Sequence, residues 1–234
     1  LNKNQFMLNN YSNEDKVLLA VDCIIFGFEK DQLKILLIKR DFEPEKGKWS
    51  LIGGFLKKNE TLDQAGNRVL KHLTGYDNIY MEQFNAYSEV DRDPVDRTIS
   101  VSYYALINIE THSALEEQYA AQWFAIDDIP KLIFDHDIMV KHALNRLRYR
   151  ATHKPIGFEL LPEKFTMKQL QKLYESILNT KLDKRNFTSK INGLDILVKL
   201  EEKDMNSSRK GSFLYMFDET KYKKKVEEGF TFKI

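Results

Sequence analysis

The stretch GGFLKKNETLDQAGNRVLKHLTGY, Gly53 to Tyr76, decides how the chain around it folds. From Thr61 to Thr74 its apolar residues Leu62, Ala65, Val69, Leu70 and Leu73 recur at helical spacing, which predicts a helix. Gly54 and Gly75 bracket that helix and permit the turns at its ends. Upstream, a short strand around Trp49 to Ile52 runs into Gly53-Gly54. Before it, Leu18 to Phe28 and Leu33 to Ile38 read as two strands joined by the turn Glu29-Lys30-Asp31-Gln32. Downstream, strand signals return at Ile79 to Val90, Thr98 to Ile107 and Trp123 to Ile126. A helix follows over Asp137 to Arg150, with Ile138, Met139, His142, Ala143 and Leu147 on one side. The fold class is α/β (α+β), a mixed sheet packed between helices.

At 234 residues the chain has room for one large domain or two small ones, and 42% apolar against 30% charged residues argues against disorder. Thirty-six Lys plus Arg against 35 Asp plus Glu give +1, so no whole-molecule field draws it to nucleic acid or membrane. That balance hides a split. Residues 153–234 carry 17 Lys plus Arg and 12 Asp plus Glu, whereas residues 1–152 carry 19 and 23. A basic module therefore follows an acidic one. Pro155, Gly157 and Pro162 break helical periodicity between them, which places the boundary near 153. One cysteine, Cys23, excludes an internal disulfide framework and a cysteine zinc site, and fits a reducing cytoplasm. The run Val17 to Phe28 is too short and too interrupted by Asp22 to span a bilayer, and LNKNQFMLNN lacks the apolar stretch of a signal peptide.

In the basic module, Thr166 and Gln169 have the spacing of a capping box. They open a helix whose apolar stripe is Met167, Leu170, Leu173, Tyr174, Ile177 and Leu178. After about four residues Asp183 can cap a second, shorter helix that buries Phe187 and Ile191. Two helices so joined suggest a helix-turn-helix, and the strands Leu194 to Leu200 and Ser212 to Phe217, joined by the polar EEKDMNSSRKG, would form a wing. A helix entering a major groove needs cationic and amide side chains outward over an apolar dock. Arg185, Thr188 and Ser189 are the first candidates for base edges, with Asn186 beside them and Lys184 and Lys190 on phosphates. Arg209 and Lys210, with Ser207 and Ser208, would meet the backbone from the wing. TKYKKK can contact phosphate or simply solvate a helix.

The Gly53 to Tyr76 stretch resembles the Nudix box, the loop-helix-loop signature of hydrolases that cleave nucleoside diphosphates linked to another group. Gly54, Glu60, Arg68, Leu70 and Gly75 occupy matching places, and chance agreement at the four fixed positions is well below ~1%. The flanks KWSLIGGF and QWFAIDDIPKLIFDHD extend the likeness over most of residues 15–150. The resemblance implies an α/β/α sandwich. Nudix hydrolysis needs magnesium held by carboxylates of the box helix, and this chain has Val69, His72 and Leu73 in their places. No catalytic residue, metal or cofactor is therefore expected. Glu60 and Arg68 keep an architectural task, an ion pair holding loop to helix.

With FDHD, FTMKQLQKLYESILNTKLDKRNFTSKI and RKGSFLYMF, the chain resembles the bacterial Nudix-related transcriptional regulators, in which a Nudix-like sensor precedes a winged helix. The family often has Arg-Pro where this chain has Arg209-Lys210-Gly211. The resemblance implies a homodimeric repressor of double-stranded operator DNA, released by an effector such as ADP-ribose or, in a sugar-utilisation branch, L-arabinose. The lost carboxylates remove a metal anchor for diphosphate and favour the sugar. Pocket candidates by residue type are Asp22, Lys39, Arg40, Glu89 and Asp91, with Arg92 and Arg97, and the aromatics Trp49, Tyr103 and Phe124 for stacking. His136 and His142, six apart, read as helix-cap and core residues rather than metal ligands. Two rivals stand beside this reading: a Nudix hydrolase with Glu60, Asp63 and His72 as atypical ligands, and an interaction module without a DNA target.

Overall fold

The computed structural model describes residues 14–75, 79–110, 121–205 and 209–229. Its first half is organised by β1 (Leu18–Glu29), which is buried from Val21 through Phe26. Side chains alternate along it: Ile24, Phe26 and Phe28 join one apolar layer, Val21, Cys23 and Ile25 the other. Both faces are covered, as expected of a continuous apolar run rather than an alternating one. β2 (Gln32–Lys39) folds back antiparallel through Lys30 and Asp31, both with positive φ, the geometry of a two-residue hairpin turn. β6 (Thr98–Asn108) lies parallel to β1 on its other side, and β5 (Tyr80–Tyr87) forms the edge beyond β6. β3 (Trp49–Ser50) and β7 (Ala121–Ala125) pair with β2, while β4 (Ile52–Phe55) pairs with β1. The seven strands make one mixed sheet.

α1 (Leu62–Thr74) covers one layer. Thr61 and Gln64 close a reciprocal capping box, and Gly75 ends the helix in the left-handed region, its N–H donating to the Lys71 carbonyl. α2 (His136–His153) covers the other, burying Met139, Val140, Ala143, Leu147 and Ala151. Ile138 and His142 point outward, correcting the stripe expected from sequence. They lie one residue, about 100°, off the 139, 143, 147 line that faces the sheet. His142 is still engaged, stacked on the Tyr87 ring with its Nδ1 3.0 Å from the phenol oxygen.

The second half has α3 (Met167–Leu178), α4 (Lys184–Gly193) and α5 (Glu219–Glu227), with a three-stranded sheet in the order β8 (Phe165–Thr166), β10 (Ser212–Phe217), β9 (Leu197–Asp204). β9 continues through Glu201 to Asp204, residues expected in the turn. Pairing with β10 carries it that far, and Lys199 and Lys203 lie 3.7 and 4.6 Å from the centre of the Phe213 ring on β10. The residues 206–208 of the expected wing tip lie outside the described set.

The halves share one apolar layer. Leu160, Leu161, Phe165, Leu170, Leu173, Tyr174 and Ile177 belong to the same cluster as Ile24, Phe26, Tyr104 and Met139. Polar contacts reinforce the seam: the Leu33 N–H donates to Ser176 Oγ at 2.6 Å, and Arg148 Nε donates to the Ile177 carbonyl at 2.9 Å. No described helix is long and apolar enough to cross a membrane.

At α3 the expected capping box is present: Thr166 Oγ1 accepts from the Gln169 N–H at 3.2 Å, and Gln169 Oε1 accepts from the Thr166 N–H at 2.8 Å. Thr166→Ala should therefore cost about 1 kcal/mol in urea denaturation. A cost near zero would show that this cap does not hold the helix in place.

Candidate functional site

The box loop is tied to its helix by two residues. Arg68 Nε and Nη2 donate to the Glu60 carboxylate at 2.8 and 2.6 Å, and Nη2 also reaches the Phe55 carbonyl at 3.0 Å. The Lys57 N–H donates to Glu60 as well, at 2.8 Å. With those partners, the Arg68 bond foremost, the Glu60 carboxyl is held down to about 2. Its oxygens are thus committed to the loop. Val69 is buried beneath Gly54, His72 is exposed on α1, and the Leu73 side chain falls outside the described residues. Asp63 Oδ1 accepts the Tyr103 hydroxyl at 2.8 Å. Among the described residues no three His, Cys, Asp or Glu side chains gather to hold a metal ion. The residues present do not fit the magnesium that the Nudix box implies.

Beside the box, near the start of β1, a cavity of about 260 Å³ opens. Its floor is charged and internally paired. Asp22 accepts the Ser100 hydroxyl at 2.5 Å and lies 3.9 Å from Arg92 Nη2. Arg92 binds Asp135 in bidentate fashion, at 2.9 and 2.8 Å, immediately before α2. His136 opens α2 and is buried; its Nδ1 accepts the Leu51 N–H at 3.1 Å. Burial pushes this imidazole below its ordinary range against the pull of Asp22 and Asp135, so the ring is neutral at pH 7. Gly53 has to be glycine: a Cβ there would collide with Asp22 Oδ1 and stand 2.8 Å from the Val21 carbonyl. At the mouth the Arg40 guanidinium lies 3.7 Å from the centre of the Phe42 ring and 5.5 Å from that of Phe134.

Of the pocket residues expected from sequence, Asp22 and Arg40 line this cavity, as does Arg92. Tyr103 does not. Side chains on β6 alternate, and Tyr103 turns to the α1 layer with Val101 and Ala105. Lys39, Trp49 and Phe124 form a separate cluster, because Lys39 and Trp49 are cross-strand partners: the ammonium sits 5.3 Å from the Trp49 ring centre, and Phe124 meets Trp49 edge-on at 4.8 Å. Glu89 and Asp91 are exposed on the loop after β5, outside the lining. Asp93, Phe134 and His136 line the cavity unforeseen as pocket residues; FDHD, at 134–137, was the signal for the last two.

In the second half α4 docks Phe187 and Ile191 inward, Phe187 against Tyr174 with ring centres 5.5 Å apart. Asp183 caps it through the Asn186 N–H at 2.8 Å. The turn before it is pinned by buried Glu175, which accepts from the Leu182 N–H at 3.0 Å and from Gln171 and Lys172 side chains. Lys184, Arg185, Thr188 and Ser189 line one open concavity, together with the cap residue Asp183 and with Asn192, which sequence reading did not single out. Asn186 and Lys190, four apart, are exposed on a neighbouring flank, and Arg209 and Lys210 are exposed beyond β9. In α5, Lys221, Lys223 and Lys224 pair with Asp195, Glu219 and Glu228 at 3.0, 2.7 and 4.0 Å, the pattern of a solvated helix.

The fold is that of a Nudix-like domain with a cavity beside its box, joined to a winged helix. Family comparison agrees. The NUDIX domain matches residues 16–143, and the NrtR DNA-binding winged helix domain matches residues 157–217. The ADPR responsive transcriptional repressor NtrR of Acinetobacter baylyi is 34% identical over 190 residues, 78% of this chain and 76% of that one. The crystal structure of Shewanella oneidensis NrtR complexed with a 27mer DNA superimposes with a TM-score of 0.81 at 26% identity, over 92% of this chain and 97% of that one. The NUDIX domain of the same protein complexed with ADP ribose gives 0.53 at 28% identity, over 63% of this chain and 99% of that one. An ADP-ribose pyrophosphatase of Methanocaldococcus jannaschii is 38% identical over 123 residues, 53% of this chain and 70% of that one. The chain belongs to the Nudix-related transcriptional regulator family.

Because Glu60 titrates lower folded than unfolded, it favours folding above the ordinary carboxylate range, ~4.3, and that contribution fades as pH falls toward 2. Glu60→Gln should lower stability at pH 7 and converge with the parent near pH 2, read by urea denaturation across that window. A gap that stays constant with pH would contradict the assignment.

Proposed function

We propose that this chain is a transcriptional repressor that holds operator DNA through α4 and lets go when its Nudix cavity takes up ADP-ribose or a closely related metabolite, without hydrolysing it. The observation that carries the reading is α4 itself. It presents Lys184, Arg185, Thr188, Ser189 and Asn192 on one outward concavity over an apolar dock, which is what major-groove readout requires. Arg185, Thr188 and Ser189 read base edges, Asn186 supports them, and Lys184, Lys190, Arg209 and Lys210 meet phosphates. The repressor acts as a homodimer in the cytoplasm, with half-sites about 10 bp, or a multiple, apart.

Coupling runs along α2. Asp135, just before the helix, grips Arg92 in the cavity wall, and His136 stands on the floor; at the far end Arg148 holds the Ile177 carbonyl, near the end of α3. Eighteen residues make a rod about 27 Å long. A ligand that rearranges the Arg92–Asp135 pair moves one end of that rod, and the seat of the helix-turn-helix is at the other. Differential binding of this kind typically supplies about 1 to 3 kcal/mol.

ADP-ribose is favoured over free L-arabinose because the cavity mouth offers Arg40 and two aromatic rings, which suit a phosphate and a base, and because similar proteins include an ADPR responsive repressor and a NUDIX domain complexed with ADP ribose. The likeness to a pyrophosphatase supports a second reading, slow hydrolysis. Turnover of ADP-ribose by the parent chain that requires added magnesium would establish it.

The test of the main reading is fluorescence anisotropy on DNA from the gene's own upstream region at ~150 mM salt, with and without ADP-ribose. Binding well above random DNA, reversed by ADP-ribose, is expected. Arg185→Ala should lose ~1 to 3 kcal/mol on the specific site alone, whereas Lys210→Ala should weaken every sequence and flatten the salt dependence. Equal losses on specific and random DNA for Arg185→Ala would remove it from base readout.

A further inference from the structure

On the cavity floor two buried groups face each other without touching. Asp22 Oδ2 is occupied by the Ser100 hydroxyl, but Oδ1 looks across 4.0 Å at His136 Nε2. Asp22 is 8% and His136 4% exposed. Four ångströms is too long for a hydrogen bond, yet one oxygen atom beside the gap can reach both at ordinary distances. The far edge of the imidazole settles which group donates. Nδ1 accepts the Leu51 N–H, so in the neutral ring the proton sits on Nε2. The gap therefore presents a donor beside an anionic acceptor.

Only some chemistry satisfies that pair. A hydroxyl does so completely, accepting from Nε2–H and donating to Oδ1. A phosphate oxygen has no proton to donate and is repelled by Asp22, and an ammonium leaves Nε2–H unpaired. The space is kept clear by Gly53, whose missing side chain would stand against Asp22 Oδ1. We propose that Asp22 and His136 form the seat of a sugar hydroxyl, so that the effector enters sugar first with its charged part toward Arg40. This deepens the reading of the cavity as the effector site and rests on it. The chemistry is common to a free pentose and to the distal ribose of ADP-ribose, and the two sources separate by experiment.

Isothermal titration of the full chain with ADP-ribose, ADP and L-arabinose reads the seat directly. His136→Asn keeps an acceptor for the Leu51 N–H and removes the donor at Nε2; Asp22→Asn is isosteric and removes the anionic acceptor, so a failure of one to fold leaves the other. In each, ADP-ribose should bind about ten- to hundredfold more weakly. ADP, which lacks the distal ribose, should bind the parent more weakly than ADP-ribose does and should not weaken further in either variant. A purely structural role would weaken both ligands together and would overturn the seat. ADP-ribose binding undiminished in both variants would overturn it too, while leaving the effector reading intact. If L-arabinose alone binds and loses the same factor, the seat stands and ADP-ribose is the wrong effector. If no ligand binds the parent, both proposals fall.

Discussion

A strand whose two faces are both apolar must be covered above and below, and the architecture follows from how β1 meets that demand. α1 and its box loop close one side, α2 and the C-terminal helices the other. The register that buries Ile24 and Phe26 also sets Asp22 at the strand's beginning opposite Gly53, where a side chain would have no room. A shift of one residue would exchange the two layers and withdraw that carboxylate from the cavity. The polar floor is thus a by-product of apolar constraint, stabilised by giving each buried charge a partner: Ser100 and Arg92 for Asp22, Asp135 for Arg92.

Much of this was legible in the residues themselves. Continuous Ile, Val and Leu runs announced strands buried on both faces, and Thr166 with Gln169, or Asp183 before Lys184, announced helix starts whose hydrogen bonds are local. The box helix and its Glu60–Arg68 pair were readable for the same reason, since eight residues along a loop and helix bring them together. What escaped depended on contacts remote in sequence. β9 reaches Asp204 because β10 pairs with it, against a local composition that reads as a turn. Ile138 and Met139 are both apolar, and only docking of α2 on the sheet decides that Met139 faces inward.

The cavity was harder still. Residue type gave charged and aromatic candidates, Lys39 and Arg40 foremost, but strand alternation and cross-strand pairing divided them. Tyr103 fell to the α1 layer, and Lys39 found Trp49. Arg92 meets the Asp135-His136 pair from more than forty residues away, a convergence that no spacing rule encodes. FDHD marked half of it, as a family signature whose side chains turn out to join the cavity to the first turn of α2.

The apolar layer shared by the two halves has an evolutionary side. Leu160, Leu173 and Ile177 are cut to fit Ile24, Phe26 and Tyr104, so the reading head is not a cassette hung on a tether. Recombination that fused this winged helix to another sensor would expose greasy surface on both parents. The seam between the halves is therefore inherited as one piece.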